Sequence, residues 1–174
     1  MNTFRPTCLL GIFLAGVLAT GCAPRAENTP VARSIEAPTI IPSADWGSQP
    51  LWFHEDHVDA IDSYTHEPKR ILIHHSGVVW REGTNPYNRM RNLQTWGMRE
   101  RGWLDVPYHY LIAPNGQIFE GRALQFRPDT NTNFDTSGFV NIELMGSFGE
   151  QRPSEEQLRA AVDLSIFLSA AYEM

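Results

Sequence analysis

Two histidines close a short apolar run, Ile71-Leu72-Ile73-His74-His75-Ser76-Gly77, and a tyrosine–histidine pair sits in another, Val106-Pro107-Tyr108-His109-Tyr110-Leu111-Ile112. A neutral imidazole is a metal ligand at physiological pH, and one that ends a strand is aimed by a rigid backbone. A phenol nearby can donate a hydrogen bond to a metal-bound water or to developing negative charge while staying neutral itself. A zinc hydrolase begins from these residue types. A histidine on an apolar strand also fits a core position with its ring nitrogens satisfied, so His74 carries both readings. His75 is read as structural, orienting its neighbours by a hydrogen bond. His109 follows Tyr108 directly; on a regular strand the two face opposite sides, and His109 is read as a packing residue. The cluster His54-Glu55-Asp56-His57 would place both histidines on one helix face, although a solvated acidic helix start explains it as well.

These residues need elements to hold them. Arg70–His75 carries β-branched residues in an apolar run and reads as a buried strand. Asn85-Pro86 reads as an N-cap followed by proline at the first helical position, with Met90, Leu93 and Gly97 on one face and Gly102 as the stop. Tyr108–Ala113 and Gln117–Glu120 read as strands joined by the Asn-Gly turn at Pro114-Asn115-Gly116. Phe139–Met145 alternates and reads as a further strand. Ser154-x-x-Gln157 reads as a capping box opening a helix through Leu158, Ala161, Leu164 and Leu168. The order β, α, β, β, β, α predicts a single α/β domain with a mixed central sheet flanked by helices.

The 174 residues carry 42% hydrophobic and 20% charged side chains, an ordinary composition for one globular domain. Net charge is −6, with 14 basic and 20 acidic residues and no basic run, which excludes the electrostatic footprint of a nucleic-acid binder. Arg5 precedes a charge-free run from Leu9 to Thr20, shorter than the roughly 20 residues a membrane span needs but suited to a signal-peptide core. The run ends in Leu18-Ala19-Thr20-Gly21-Cys22, which resembles the bacterial lipobox and implies lipidation at Cys22. The sequence therefore divides into a signal peptide at 1–22, a polar, proline-containing tether at 23–39 and a domain at 40–174. The expected location is the bacterial envelope, lipid-anchored in the outer membrane and facing the periplasm. A monomer is the default expectation.

Five segments carry a family resemblance: Ser43-Ala44-Asp45-Trp46-Gly47, Ile71–Ser76, Gly102–Ile112, Asn115–Arg122 and Ile142–Phe148. In this order they resemble the type-2 N-acetylmuramoyl-L-alanine amidases, a superfamily that also holds the peptidoglycan recognition proteins and phage amidase-lysozymes. The resemblance implies a zinc-dependent hydrolase of the amide between the lactyl group of N-acetylmuramic acid and L-alanine, with peptidoglycan or muropeptides as partner. Carried over by position, His74 matches the first zinc ligand and Tyr108 the active-site tyrosine. Glu120-Gly121-Arg122 resembles a family signature. It admits a turn glycine flanked by an intramolecular ion pair, or an Arg122 that contacts a substrate carboxylate. The loop at 129–135 borders the groove in related proteins, which makes Thr130 and Asn131 candidate peptide contacts. The family places its other two zinc ligands after the last long helix, a histidine and then a cysteine or aspartate. No histidine follows His109 here and no cysteine follows Cys22. The expectation is an amidase represented by a chain truncated at its C-terminus, which alone holds little zinc and is inactive. The alternative is a non-catalytic peptidoglycan-binding envelope lipoprotein.

Overall fold

The computed structural model describes residues 35–51 and 61–174. Cys22, the signal run and the His54–His57 cluster lie outside them. Five strands form one sheet: β1 (Ile40–Ile41), β2 (Arg70–His75), β3 (Tyr110–Ile112), β4 (Ile118–Glu120) and β5 (Phe139–Leu144). Their spatial order is β1-β4-β3-β5-β2. Only the β3–β4 hairpin is antiparallel; the pairs β1–β4, β3–β5 and β2–β5 are parallel. This is the mixed sheet expected, with β1 and the short helices α1 (Ser43–Trp46) and α2 (Ile61–Tyr64) added to it.

The two long helices follow their sequence signals closely. α3 spans Pro86–Arg101; the Asn85 side chain accepts from the Asn88 amide, and Gly102 ends the helix at φ 68°. α4 spans Glu155–Ala171, and Ser154 Oγ accepts from the Gln157 amide at 3.0 Å. The second half of that capping box is not made. Gln157 is instead fully buried, and its side-chain amide donates to the carbonyls of Ile112 at 2.7 Å and Met145 at 3.1 Å, bolting the helix to the sheet.

Each face of the sheet has its own core. On one, Ile112, Ile118, Val140, Ile142 and Leu144 pack with Ala161, Leu164 and Leu168 of α4. On the other, Leu111 and Phe119 pack with Trp46, Met90, Val106 and Met145. Trp46 fixes α1 to the sheet by donating its indole N–H to the Glu120 carbonyl at 2.7 Å, while Arg91 of α3 donates to the Trp46 carbonyl. Strand alternation then sends Leu72, His74, Asn141 and Glu143 towards the α3 side. α3 leaves part of that face open.

Candidate functional site

The open part is a groove at the C-terminal ends of β2 and β5. One cavity of about 410 Å³ is lined by Leu72, His74, Tyr108, Asn141 and the loop residues Thr130, Asn131, Thr132 and Phe134. A second, of about 310 Å³, is lined by Arg89, Asn92, Trp96 and Trp103 on the helix side and by Glu143 on the sheet side. Ser76, Tyr108 and Asn131 line both cavities, so the two are compartments of one groove divided at Tyr108.

His74 is positioned by the pinned end of β2. Ser76 Oγ donates to the Gly146 carbonyl and accepts from the Gly146 amide, both at 2.9 Å, and Gly77 N–H donates to the same carbonyl. His74 Nδ1 lies 3.2 Å from the His75 carbonyl. An oxygen there can only accept, so Nδ1 carries the proton and Nε2 presents its lone pair. That Nε2 is buried and has no hydrogen-bond partner. Burial lowers the imidazole pKa, against the opposing hydrogen bond to His75, and keeps the ring neutral.

Tyr108 stands edge-on to His74, with ring centroids 4.6 Å apart. Its backbone is gripped from the far side: Arg122 N–H donates to the Tyr108 carbonyl at 2.9 Å and Gly121 N–H to the His109 carbonyl at 2.8 Å. The segments flanking β3 and β4 approach so closely that a Cβ on Gly121 would sit 2.2 Å from the Tyr108 carbonyl oxygen. Glycine is therefore obligatory at that place. Burial, reinforced by Glu143, pushes the phenol pKa well above its ordinary value. Tyr108 is a hydrogen-bond donor throughout the physiological range.

The histidines beside these residues are structural, as their sequence positions suggested. His109 is buried; Nδ1 accepts from the Asn141 amide and Nε2 faces the Phe126 carbonyl, each at 3.0 Å. Burial drives its pKa down to about 3. His75 Nδ1 accepts from the Phe148 amide at 2.9 Å and holds the loop after β5.

Thr130 and Asn131 do line the groove. Arg122 does not. Its guanidinium is fully buried and donates to the carbonyls of Val106 at 3.1 Å, Arg127 at 2.6 Å and Asp105 at 3.2 Å, and to Asp129 Oδ2 at 2.6 Å. The glutamate of that signature does not pair with it either: Glu120 Oε2 accepts from the Ser43 amide. Arg122 ties the 105–108 and 127–129 segments together behind the groove wall.

The residue that sequence reading passed over is Glu143. It is 1% exposed, with Oε1 buried and unpartnered. Burial pushes its carboxyl up to about 8, opposed by Arg89. The signal was present: Asn141 and Glu143 are polar residues spaced by two in an otherwise apolar strand, facing the same side as His74. Among the described residues four buried side-chain atoms lack a hydrogen bond, and three of them, His74 Nε2, Asn141 Oδ1 and Glu143 Oε1, belong to groove residues. Buried polar groups are rarely left unpaired unless a ligand, ion or water meets them.

Whether these residues suit a zinc ion follows from the same inventory. His74 Nε2 is a neutral, available ligand. Among the described residues no group of three His, Cys, Asp or Glu side chains comes together to hold a metal. A protein zinc site takes at least three such ligands. The described residues supply one, and they do not fit the ion by themselves.

Residues 64–174 match the family model described as N-acetylmuramoyl-L-alanine amidase. Peptidoglycan-recognition protein SD of Drosophila simulans is 33% identical over 140 residues, covering 78% of this chain and 69% of that protein. The crystal structure of Drosophila peptidoglycan recognition protein SD superposes with a TM-score of 0.65 at 30% identity, covering 80% of this chain and 78% of that one. The endolysin N-acetylmuramoyl-L-alanine amidase LysCS of Clostridium intestinale shares the fold, with a TM-score of 0.58 at 19% identity over 80% of this chain and 79% of that one.

Proposed function

The chain belongs to the N-acetylmuramoyl-L-alanine amidase and peptidoglycan recognition protein superfamily, and from that premise we propose that its groove binds a muropeptide around the lactyl–L-alanine amide. The observation that carries this reading is the set of unpartnered polar atoms on His74, Asn141 and Glu143. A muropeptide is rich in amides and hydroxyls and satisfies such atoms in a way that an apolar ligand cannot. Tyr108 donates its hydroxyl to the amide carbonyl, His74 Nε2 accepts from an N–H or hydroxyl, and Thr130 and Asn131 line the opposite wall. Removing any one of these partners leaves a buried group unpaired in the complex, which costs about 1–3 kcal/mol.

Hydrolysis of that amide by a zinc enzyme is a second reading, favoured by the free Nε2 of His74. It requires metal ligands beyond the described residues, whereas muropeptide binding at the groove does not. Calorimetric titration with N-acetylmuramoyl-L-alanyl-D-isoglutamine tests the first reading, and stoichiometric zinc with release of stem peptide from peptidoglycan would establish the second. No binding to muropeptide or to sedimented peptidoglycan overturns both. We further propose that Cys22 is lipidated and tethers the domain to the outer membrane on its periplasmic side. Labelling with radioactive palmitate that persists in Cys22→Ala would refute that anchor.

A further inference from the structure

Two imidazoles outside the groove repeat one hydrogen-bonding pattern. His66 Nδ1 accepts from the Gly138 amide and Nε2 faces the Leu124 carbonyl, each at 3.0 Å. His109 lies stacked on it, ring centroids 5.7 Å apart and 17° from parallel, with the Asn141 amide and the Phe126 carbonyl as its partners. We propose that His66 is a positioning residue for the groove wall: its neutral ring closes the 124–138 loop that carries Thr130 and Asn131, and a second proton on that ring opens it. This goes beyond the muropeptide reading above, and only its effect on ligand affinity rests on that reading.

The tip of that loop has little of its own to hold it in place. Thr130, Asn131, Thr132 and Phe134 line the groove. Their hydrogen bonds are local: Thr130 with Thr132, Thr132 with Phe134, Asp135 with Ser137, and Thr136 with the Pro128 carbonyl. Among the described residues, hydrogen bonds from 130–137 reach no further than Pro128 and Phe139. The tip therefore stands where its two ends put it. His66 holds both: its ring joins Leu124 to Gly138, and its backbone amide donates to the Gln125 carbonyl at 3.0 Å. The residues around it follow suit, Thr65 bridging to Phe126 and the Lys69 and Arg70 amides donating to the Gly138 carbonyl.

The chemistry of the ring makes this brace depend on charge. A ring nitrogen that accepts from an amide carries no proton, so Nδ1 is bare and Nε2–H donates to Leu124. A second proton can only enter at Nδ1, where it sets one N–H against another and breaks the bond to Gly138. The charged groups acting on His66 are Arg127 and Arg122, from the segment after β4, and both oppose a further positive charge. The nearby carboxylates are engaged: Glu67 pairs with Lys69 at 3.1 Å and Asp129 with Arg122 at 2.6 Å. Of the two stacked rings His109 is 1% exposed and His66 half-buried, so His66 is the one a proton reaches first. Burial also lowers its pKa. The closed loop needs the neutral ring and opening takes up a proton, so acid favours the open loop below the ordinary histidine value of about 6.5.

Nuclear magnetic resonance on the full chain from about pH 7.5 to about pH 4.5, a window that spans the ordinary histidine value, tests this in the wild type, His66→Gln and His66→Phe. It follows the His66 ring nitrogens, the amides of 130–134 and the exchange protection of the Gly138 amide relative to its intrinsic rate. In the wild type that protection should fall by about tenfold or more, the range of a lost buried hydrogen bond, and the loop amides should shift, both at the midpoint of His66 itself. Glutamine keeps a donor and an acceptor without a titrating group, so the loop of His66→Gln should stay closed across the range, whereas that of His66→Phe should be open throughout. Affinity for N-acetylmuramoyl-L-alanyl-D-isoglutamine should follow the wild-type loop midpoint and lose this dependence in His66→Gln. A wild-type loop that stays closed at the acid end, a His66 that titrates while Gly138 and 130–134 stay unmoved, or a loop transition that persists at the same midpoint in His66→Gln overturns the proposal. If the ligand fails to bind at any pH, the groove reading has failed, and the loop measurements still decide the role of His66. If neither variant folds, coincidence of the His66 and loop midpoints in the wild type supports the brace and their separation refutes it.

Discussion

Replacing Arg122 by leucine separates a structural arginine from a ligand contact. The wild-type guanidinium makes three bonds to backbone carbonyls and one to Asp129, with the arginine side chain 0% and the aspartate 20% exposed. Leucine fills most of the space and leaves those acceptors without donors. Each orphaned carbonyl costs about 1–3 kcal/mol where water cannot reach it. Partial access near Asp129 and relaxation of the 127–129 segment reduce the sum, and breaking one side of a buried pair costs about 3–5 kcal/mol in total. A domain of ordinary stability holds only about 5–15 kcal/mol. Urea unfolding followed by tryptophan fluorescence should therefore show a large drop in midpoint at unchanged slope. Muropeptide affinity, measured under conditions where the variant is folded, should stay within about twofold of wild type, well inside the tenfold that 1.4 kcal/mol represents. An unchanged urea midpoint together with lost binding would refute the structural assignment and return Arg122 to the groove.

Gly121→Ala should lower stability by several kcal/mol, since its Cβ meets the Tyr108 carbonyl oxygen at 2.2 Å and backbone must move; a urea midpoint equal to wild type would contradict this. Acid stability should follow His109, whose pKa of about 3 in the fold lies below the ordinary value of 6.5. Between those values the unfolded chain binds the extra proton, so stability falls as pH drops, by up to about 1.4 kcal/mol per pH unit from this group. His109→Gln should flatten that slope in urea titrations at pH 4 to 6.5, and an unaltered slope would count against it. Glu143 acts in the opposite direction: with a folded pKa near 8 it keeps a proton that the unfolded chain has lost, so its contribution declines as pH rises from about 4.5 to 8. Glu143→Gln should gain stability over wild type progressively across that window, a trend that unfolding at pH 5 and pH 8 would reveal or exclude.

Local signals in the sequence were strong where the chain itself closes the interaction. Asn85-Pro86 and Gly102 bound α3 to the residue, and the turn at Asn115-Gly116 forms with Gly116 at φ 80°. The signals were weaker where the partner is distant. Gln157 carries the spacing of a capping box, yet its side chain reaches the sheet, because the Ile112 and Met145 carbonyls at the ends of β3 and β5 present acceptors to it. Phe139–Leu144 shows plain alternation, but β5 lies inside the sheet between β3 and β2, so the polar positions Asn141 and Glu143 are buried at the floor of the groove rather than solvated. Arg122 next to a glycine turn has the composition of a ligand contact; only the fold of the 123–129 segment reveals that backbone carbonyls surround it. His74 and Tyr108 were legible as a pair because each lies at a strand end or beside one, where the register is set by a few neighbouring residues.

The central claim is that muropeptide enters the groove at His74 and Tyr108, and the nitrogen resonances of the histidine rings test it directly. In the free protein His74 Nε2 should appear as an unprotonated nitrogen at neutral pH, with the proton on Nδ1. Titration with N-acetylmuramoyl-L-alanyl-D-isoglutamine should shift that Nε2 signal with saturation, leave the buried His109 ring unmoved, and lose its amplitude in Tyr108→Phe as affinity falls. Saturable binding that moves neither His74 nitrogen would place the ligand elsewhere on the molecule and contradict the account.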